Sequence, residues 1–446
     1  MNDLNAPRRL LSARGLDLDE PLRITTQVQT WKTQANTRVR FVEAHGLPMV
    51  DLLLRFRAGS VQDGPQSGLA ALTLYNLDKG SAGLSADEHA LRLERLGAVV
   101  DKRVRLDYAQ LSLRSLSSPG LLAPAVALFR DLAAHPDFPA PALETVKSLL
   151  LANHASLRTH AQSRVSSEIY RHLFTGHPYG IPEGSSAEGV AAIGTDDLRT
   201  FHRKAFSANN LEMVMVGDLS RAQAEAIAEQ ISQALPQGWA ATELPAPPPA
   251  QPARIHIEQN GASSTLAMAV PLPIPVNAPE YLGLVLANEV LGYGPESRLM
   301  QMLRQRHGLT YDVTSHLVPL QTGGLLLIQW ETASAHVDAS LALVRQTLET
   351  LCHEGPSLAE LRFARQQISG QWVRSVAQNQ RLASMLVEQA QLGLADDYLN
   401  TYLSRLSAID TRQVRELTQS NLDLTRQVVA SVGPAVAQMP LPSTDQ

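Results

Sequence analysis

Apolar and polar residues alternate with a period near two along Val39-Arg40-Phe41-Val42-Glu43 and along Met49 to Phe56, which predicts two strands early in the chain. The spacing then changes to the three-and-four rhythm of amphipathic helices, as from Ala86 to Leu96. Two apolar runs that stop at glycine, Met213-Val214-Met215-Val216-Gly217 and Val429-Ala430-Ser431-Val432-Gly433, predict strands much further on. Strands that cluster at the start and end of each half, with helices between them, predict an α+β fold. Each half should be a largely antiparallel sheet with helices packed on one face.

These runs belong to an internal repeat. Ile193-Gly194-Thr195-Asp196-Asp197-Leu198-Arg199 lines up with Ile409-Asp410-Thr411-Arg412-Gln413-Val414-Arg415 at an offset of 216 residues, and the same offset without a gap superposes the two glycine-terminated runs. The helices around Glu144 and Arg362 repeat less closely, at an offset near 218. Each copy predicts a helix opened by Thr or Asp, a turn containing Asn, and a strand. Between the copies lies Leu244-Pro245-Ala246-Pro247-Pro248-Pro249-Ala250-Gln251-Pro252, whose prolines deny helix and favour an extended linker. The expected division is a first α+β half over 1–244, a linker over 245–253 and a homologous second half over 254–446.

Composition narrows the function classes. A chain of 446 residues, 44% hydrophobic and 18% charged, is long enough for several domains with a sizeable core. A net charge of −5 and a pI near 6.2 give no electrostatic case for nucleic acid. No run of eighteen apolar residues predicts a membrane span. The first residues lack a basic start followed by an apolar run, so the expectation is a cytoplasmic protein, or a periplasmic one whose leader was removed. One cysteine, Cys352, excludes an internal disulfide and a thiolate cluster. No two of the thirteen histidines are three or four apart, and the nearest, His172 and His177, are five apart. A zinc-gripping helical histidine pair is therefore absent.

The segment Ala58-Gly59-Ser60, followed by Gly68-Leu69-Ala70, resembles the active-site region of the pitrilysin/insulinase family of zinc metallopeptidases, which includes the mitochondrial processing peptidase. In that family the next five positions carry the H-x-x-E-H motif: two histidines on one helix face hold zinc, and the glutamate acts as general base. Here they read Ala71-Leu72-Thr73-Leu74-Tyr75, and Ala71, Leu74 and Tyr75 can do none of this. The resemblance places the third metal ligand at Asn153, give or take one residue, so the metal ligands and the base are missing together. It also implies two homologous halves facing each other like a clam shell.

A second motif survives. Gly292-Tyr293-Gly294-Pro295-Glu296-Ser297-Arg298-Leu299 leads into a helix over Met300 to Arg306, which stops at His307-Gly308 and is expected to become a strand at Leu309-Thr310-Tyr311-Asp312-Val313. Gly308 suits the left-handed position after a helix, a turn that folds Arg304 and Tyr311 back toward each other. Read as single residues, Arg304 is a solvated charge and Tyr311 a packing residue. The resemblance implies instead that the pair reaches across to a zinc-bound peptide, the tyrosine hydroxyl as an oxyanion donor and the arginine as a clamp on peptide carbonyls. Gly292 and Gly294 are expected to form a helix-capping turn, His177-Pro178-Tyr179-Gly180 a structural loop, and His154 a surface or satisfied side chain.

The resemblance thus implies a non-catalytic subunit of a heterodimeric zinc metallopeptidase, inactive alone. It holds no cofactor itself, and zinc is expected in a homologous partner carrying H-x-x-E-H. Peptides are the expected substrates, and Arg304 and Tyr311 act in trans on the partner's site. The alternative is a peptide-binding or structural subunit with no hydrolytic role.

Overall fold

The computed structural model describes residues 23–238, 241–321 and 323–441. The first half opens with β1 (Gln29–Lys32), β2 (Arg38–Glu43), β3 (Met49–Phe56) and α1 (Leu69–Asn76). A small hairpin of β4 (Gly80–Ser81) and β5 (Leu84–Ser85) follows, then α2 (Ala86–Arg95), β6 (Val99–Val104) and β7 (Ala109–Leu116). Next come α3 (Pro119–Ala134), α4 (Ala140–Leu157), α5 (Ala161–Leu173), α6 (Ala187–Ala192) and α7 (Thr195–Ala205). β8 (Leu211–Gly217) and α8 (Arg221–Ala234) complete it.

The second half runs β9 (Ala253–Glu258), β10 (Ser263–Leu272), α9 (Tyr281–Gly292), a π-helix over Met300–Arg306, β11 (Val313–Leu320) and β12 (Gly323–Ala333). It continues with α10 (Val337–Glu354), α11 (Leu358–Val376), α12 (Asn379–Gln391), α13 (Tyr398–Ser407), α14 (Thr411–Asn421) and β13 (Val428–Gly433).

The two halves are copies of one plan. Their sheets have the orders β1-β2-β8-β3-β7-β6 and β9-β13-β10-β12-β11, identical apart from the added edge strand β1. In each, only one pair is parallel, β2 with β8 and β9 with β13. The repeat offsets are reproduced in the elements: α7 and α14 begin 216 residues apart, and α4 and α11 begin 218 apart. The architecture is the expected one of two α+β halves facing each other. The hairpins β6-β7 and β11-β12 between the helices extend the strand clusters predicted only at the ends of each half.

The halves are also interlocked. Phe41, Leu52, Leu54, Met213 and Met215 point into the helices of the first half, whereas Val42, Leu53, Val214 and Val216, on the opposite pleat, meet Leu382, Ala383, Leu386 and Val387 of α12 from the second half. The exchange is reciprocal: Val165, Ile169 and Leu173 of α5 pack on Ala267, Ala269, Val428, Ala430 and Val432 of the second sheet. Strands buried on both faces lose polar alternation, and this is why β8 and β13 read as continuous apolar runs. Each buried aliphatic side chain contributes about 1.5 to 3 kcal/mol. Leu386→Ala is therefore expected to cost about 2 to 5 kcal/mol and to shift one urea transition shared by both halves. Two separated transitions would show that the halves fold independently.

Residues 241–252 between the halves form no regular element. The segment is held by the ring of His177, 3.0 Å from the Pro245 carbonyl, by Gln62, which donates to the Thr242 carbonyl at 3.0 Å, and by His172, 3.1 Å from the Gln251 carbonyl.

His202 on α7 is buried, with Nε2 2.8 Å from the Ala133 carbonyl and its ring stacked on Phe206. Burial depresses its pKa to about 4. The unfolded chain takes up a proton near pH 6.5 that the folded chain refuses until about pH 4, so stability present above 6.5 is lost as pH falls through this window. The loss is about 3 kcal/mol. Denaturant titrations should show a shallower acid slope in His202→Gln over that range.

Candidate functional site

The helix that would carry a metal motif is built firmly. Gly68 takes φ 110° at the start of α1, and a β-carbon there would lie 2.9 Å from Val190 Cγ2. Asp63 caps the helix, its carboxylate accepting from the Gly68 and Ala70 amides at 2.7 and 2.8 Å. Burial pushes Asp63 up to about 7 against these amide donors. Asp63 is absent from the sequence reading, although an acid a few residues before a helix is a legible capping signal.

On α1, Ala71 is buried at 4% exposure, and Leu74, at 0%, belongs to the first-half core. Tyr75 is partly buried against the same core. A cation does stand beside Tyr75: Lys102 donates to the Tyr75 carbonyl at 3.3 Å and pairs with Asp78 at 2.6 Å. Burial lowers the Lys102 pKa, and Asp78 opposes that shift. Helix α4 packs on α1 through Leu143 and Val146, but Asn153 near its end is exposed. His154, beside it, is 2.6 Å from Ser185 Oγ, and burial lowers its pKa. A methyl group, an isobutyl group, a phenol and an exposed amide do not make a zinc donor set, and these residues do not fit the ion. No group of three or more His, Cys, Asp or Glu that could hold a metal occurs among the described residues.

The surviving motif lies at the end of the π-helix. Gly308 takes φ 58°, its amide donates to the Arg304 carbonyl at 3.1 Å, and the Leu309 amide donates to the Leu303 carbonyl at 2.8 Å. This turn brings the Arg304 guanidinium 5.1 Å from the centre of the Tyr311 ring. The strand begins at Val313, later than the sequence pattern predicts, so Tyr311 lies in the loop before it. There the Thr310 hydroxyl donates to the Asp312 carbonyl and accepts from the Asp312 amide, closing a local turn that competes with strand pairing. Tyr311 is consequently 87% exposed, and Arg304 is exposed beside it.

Comparison with known proteins gives the family of the chain. A family model described as the peptidase M16 inactive domain matches residues 192–368. The crystal structure of a peptidase M16 inactive domain from Pseudomonas fluorescens is 35% identical, with a TM-score of 0.90, and the alignment covers 93% of this chain and 100% of that one. The chain belongs to the peptidase M16 family. The positions of the metal motif read Ala71, Leu74 and Tyr75 in this member. It is also similar, at 25% identity over 410 residues covering 89% of this chain and 93% of the relative, to a non-peptidase homologue, YmxG, of Helicobacter pylori. A protease structure from the same organism shares the fold, with a TM-score of 0.84 at 14% identity over 92% of this chain and 100% of that one.

The remaining motifs of this M16 chain make close contacts within the fold. Gly292 approaches β11 so closely that a β-carbon would lie 2.6 Å from Ser315 Oγ, and Gly294, at φ 86°, turns the chain toward the π-helix. In the His177 loop the Tyr179 hydroxyl donates to Asp107 at 2.8 Å, and Gln321 of the other half donates to the same carboxylate at 2.9 Å. A cleft of about 680 Å³ between the halves is lined by Arg55, Arg57, Arg103 and Arg105 among others. Arg55 bridges the halves, donating to Gln110 and to Gln391 of α12, and lies over the Tyr108 ring. Charges scattered along β3 and β6 carry no local spacing signal, and only the sheet gathers them.

Proposed function

We propose that this chain is the zinc-less subunit of a two-chain metallopeptidase whose partner, a homologous chain, carries H-x-x-E-H and the zinc. In this reading Arg304 and Tyr311 face the partner's site across a closed chamber. Tyr311 directs its hydroxyl at the carbonyl oxygen that gains charge during hydrolysis, and Arg304 holds neighbouring peptide carbonyls in register. The observation that carries the reading is the contrast between the two motifs. Ala71 and Leu74 are buried, whereas Tyr311 is 87% exposed with a guanidinium 5.1 Å from its ring. Burying an aromatic ring is the cheaper default, so an aromatic residue left in solvent beside a cation fits a surface that meets another molecule. The substrates are peptides or unfolded segments small enough to enter, bound in extended form.

The test is reconstitution. The purified chain should hydrolyse no peptide, with or without stoichiometric zinc, and hydrolysis should appear when an H-x-x-E-H relative is added. Turnover by the chain alone would sink the assignment. A second reading, a binding or structural subunit with no hydrolysis, is favoured by two likenesses. The Helicobacter pylori relative is described as a non-peptidase homologue, and Complex III2 from Candida albicans shares the fold, with a TM-score of 0.75 at 18% identity over 91% of this chain and 96% of that one. An inert mixture with the H-x-x-E-H relative would favour that reading.

A further inference from the structure

Strand register relates the halves residue by residue. Leu52 of β3 stands opposite Met215, while Leu266 of β10 stands opposite Ser431, the repeat mate of Met215, so β3 and β10 correspond at an offset of 214 residues. The same offset relates the midpoints of α1 and α9. Carried across without a gap, it maps Ala71, Leu74 and Tyr75 onto Val285, Asn288 and Glu289.

The two faces have opposite fates. Where the first half is closed by packing, a cavity of about 490 Å³ in the second lies against Val285, Asn288 and Glu289, walled by Trp372, Tyr398 and Tyr402. Glu289 and Gln389, which also borders it, are 9% and 6% exposed. Asn288 Oδ1 and Gln389 Nε2 are buried with no hydrogen-bond partner. Among the described residues the Glu289 carboxyl has neither a hydrogen bond nor an ion pair, and burial pushes it up to about 7. Trp372 stacks on Tyr402 with ring centroids 3.9 Å apart, so the wall is a fixed aromatic surface.

We infer that this pocket binds an organic cation, an alkylammonium or guanidinium group on an apolar stem. A buried carboxylate needs a counter-charge, aromatic faces attract cations, and the Asn288 oxygen accepts an N–H. The free Gln389 N–H needs an acceptor. A peptide carbonyl beside a lysine or arginine side chain supplies one, and a free amine does not. The proposal goes beyond the two-chain reading and is tested on this chain alone.

Calorimetric titration of the full chain would use n-butylammonium, a blocked Ala-Ala-Lys-Ala peptide and its norleucine counterpart. The lysine peptide is expected to bind at least tenfold more tightly than the norleucine peptide, and Glu289→Gln, nearly isosteric, should remove the preference. Butylammonium binding as tightly as the lysine peptide would support the site with a free amine as its ligand, and weaker binding would support it with a peptide side chain. Equal binding of the two peptides to the unaltered chain, retention of the preference in Glu289→Gln, or no binding of any probe would overturn the inference. The peptide comparison on the unaltered chain stands even if Glu289→Gln fails to fold.

Discussion

Tyr311→Phe is expected to lower kcat of the reconstituted two-chain enzyme by about 10²- to 10³-fold with little change in KM, the usual cost of removing one oxyanion donor. The substitution keeps the ring, and with it the Arg304 contact at 5.1 Å. Because Tyr311 is 87% exposed, no core packing changes and chain stability should be unaltered. Only the hydroxyl disappears, and it matters only where charge develops on the attacked carbonyl. An interaction made in the transition state and not in the bound ground state appears in kcat. The measurement is steady-state hydrolysis of a fluorogenic peptide by complexes of equal composition. Unchanged turnover would reduce Tyr311 to an exposed aromatic with no part in the reaction.

Leu74→Glu, which returns the base of the metal motif to its position, is expected to destabilise the chain by about 4 kcal/mol or more, through loss of core packing and burial of an unpaired carboxylate. Leu74 is 0% exposed, and the cation near this face, Lys102, is already paired with Asp78. Urea denaturation measures the cost directly. The triple variant Ala71→His, Leu74→Glu, Tyr75→His should show no rise in Tm on adding zinc, because Asn153, the expected third ligand position, supplies no carboxylate. A zinc-dependent rise would mean that the helix face still has the architecture of a metal site. The two predictions test opposite ends of the proposed division of labour, Leu74 buried in the first half and Tyr311 exposed in the second.

Some of this was written locally. The repeat of 216 residues was visible in two short strings because helix caps, turn residues and glycine-terminated strands are local signals, and α7 with β8 and α14 with β13 obey it. That the motif positions carry no zinc-ligating side chain was legible from residue identity at Ala71, Leu74 and Tyr75. The return of Arg304 toward Tyr311 was legible because Gly308 alone sets the turn. The start of β11 was misplaced because the Thr310 turn overrides a strand-like pattern.

Other features were decided only by the tertiary structure. The exchange of α5 and α12 joins residues as far apart in the sequence as Val42 and Leu382, and an apolar helix face does not say which sheet will cover it. The same holds for Lys102 beside Tyr75 and for the aromatic box around Glu289, whose members come from α9, α11 and α13. Sequence determined which groups this chain carries and how the local backbone turns, because those depend on neighbours within a few residues. Folding decided which groups are buried, paired or left open, because burial and charge compensation depend on whatever the rest of the chain brings alongside.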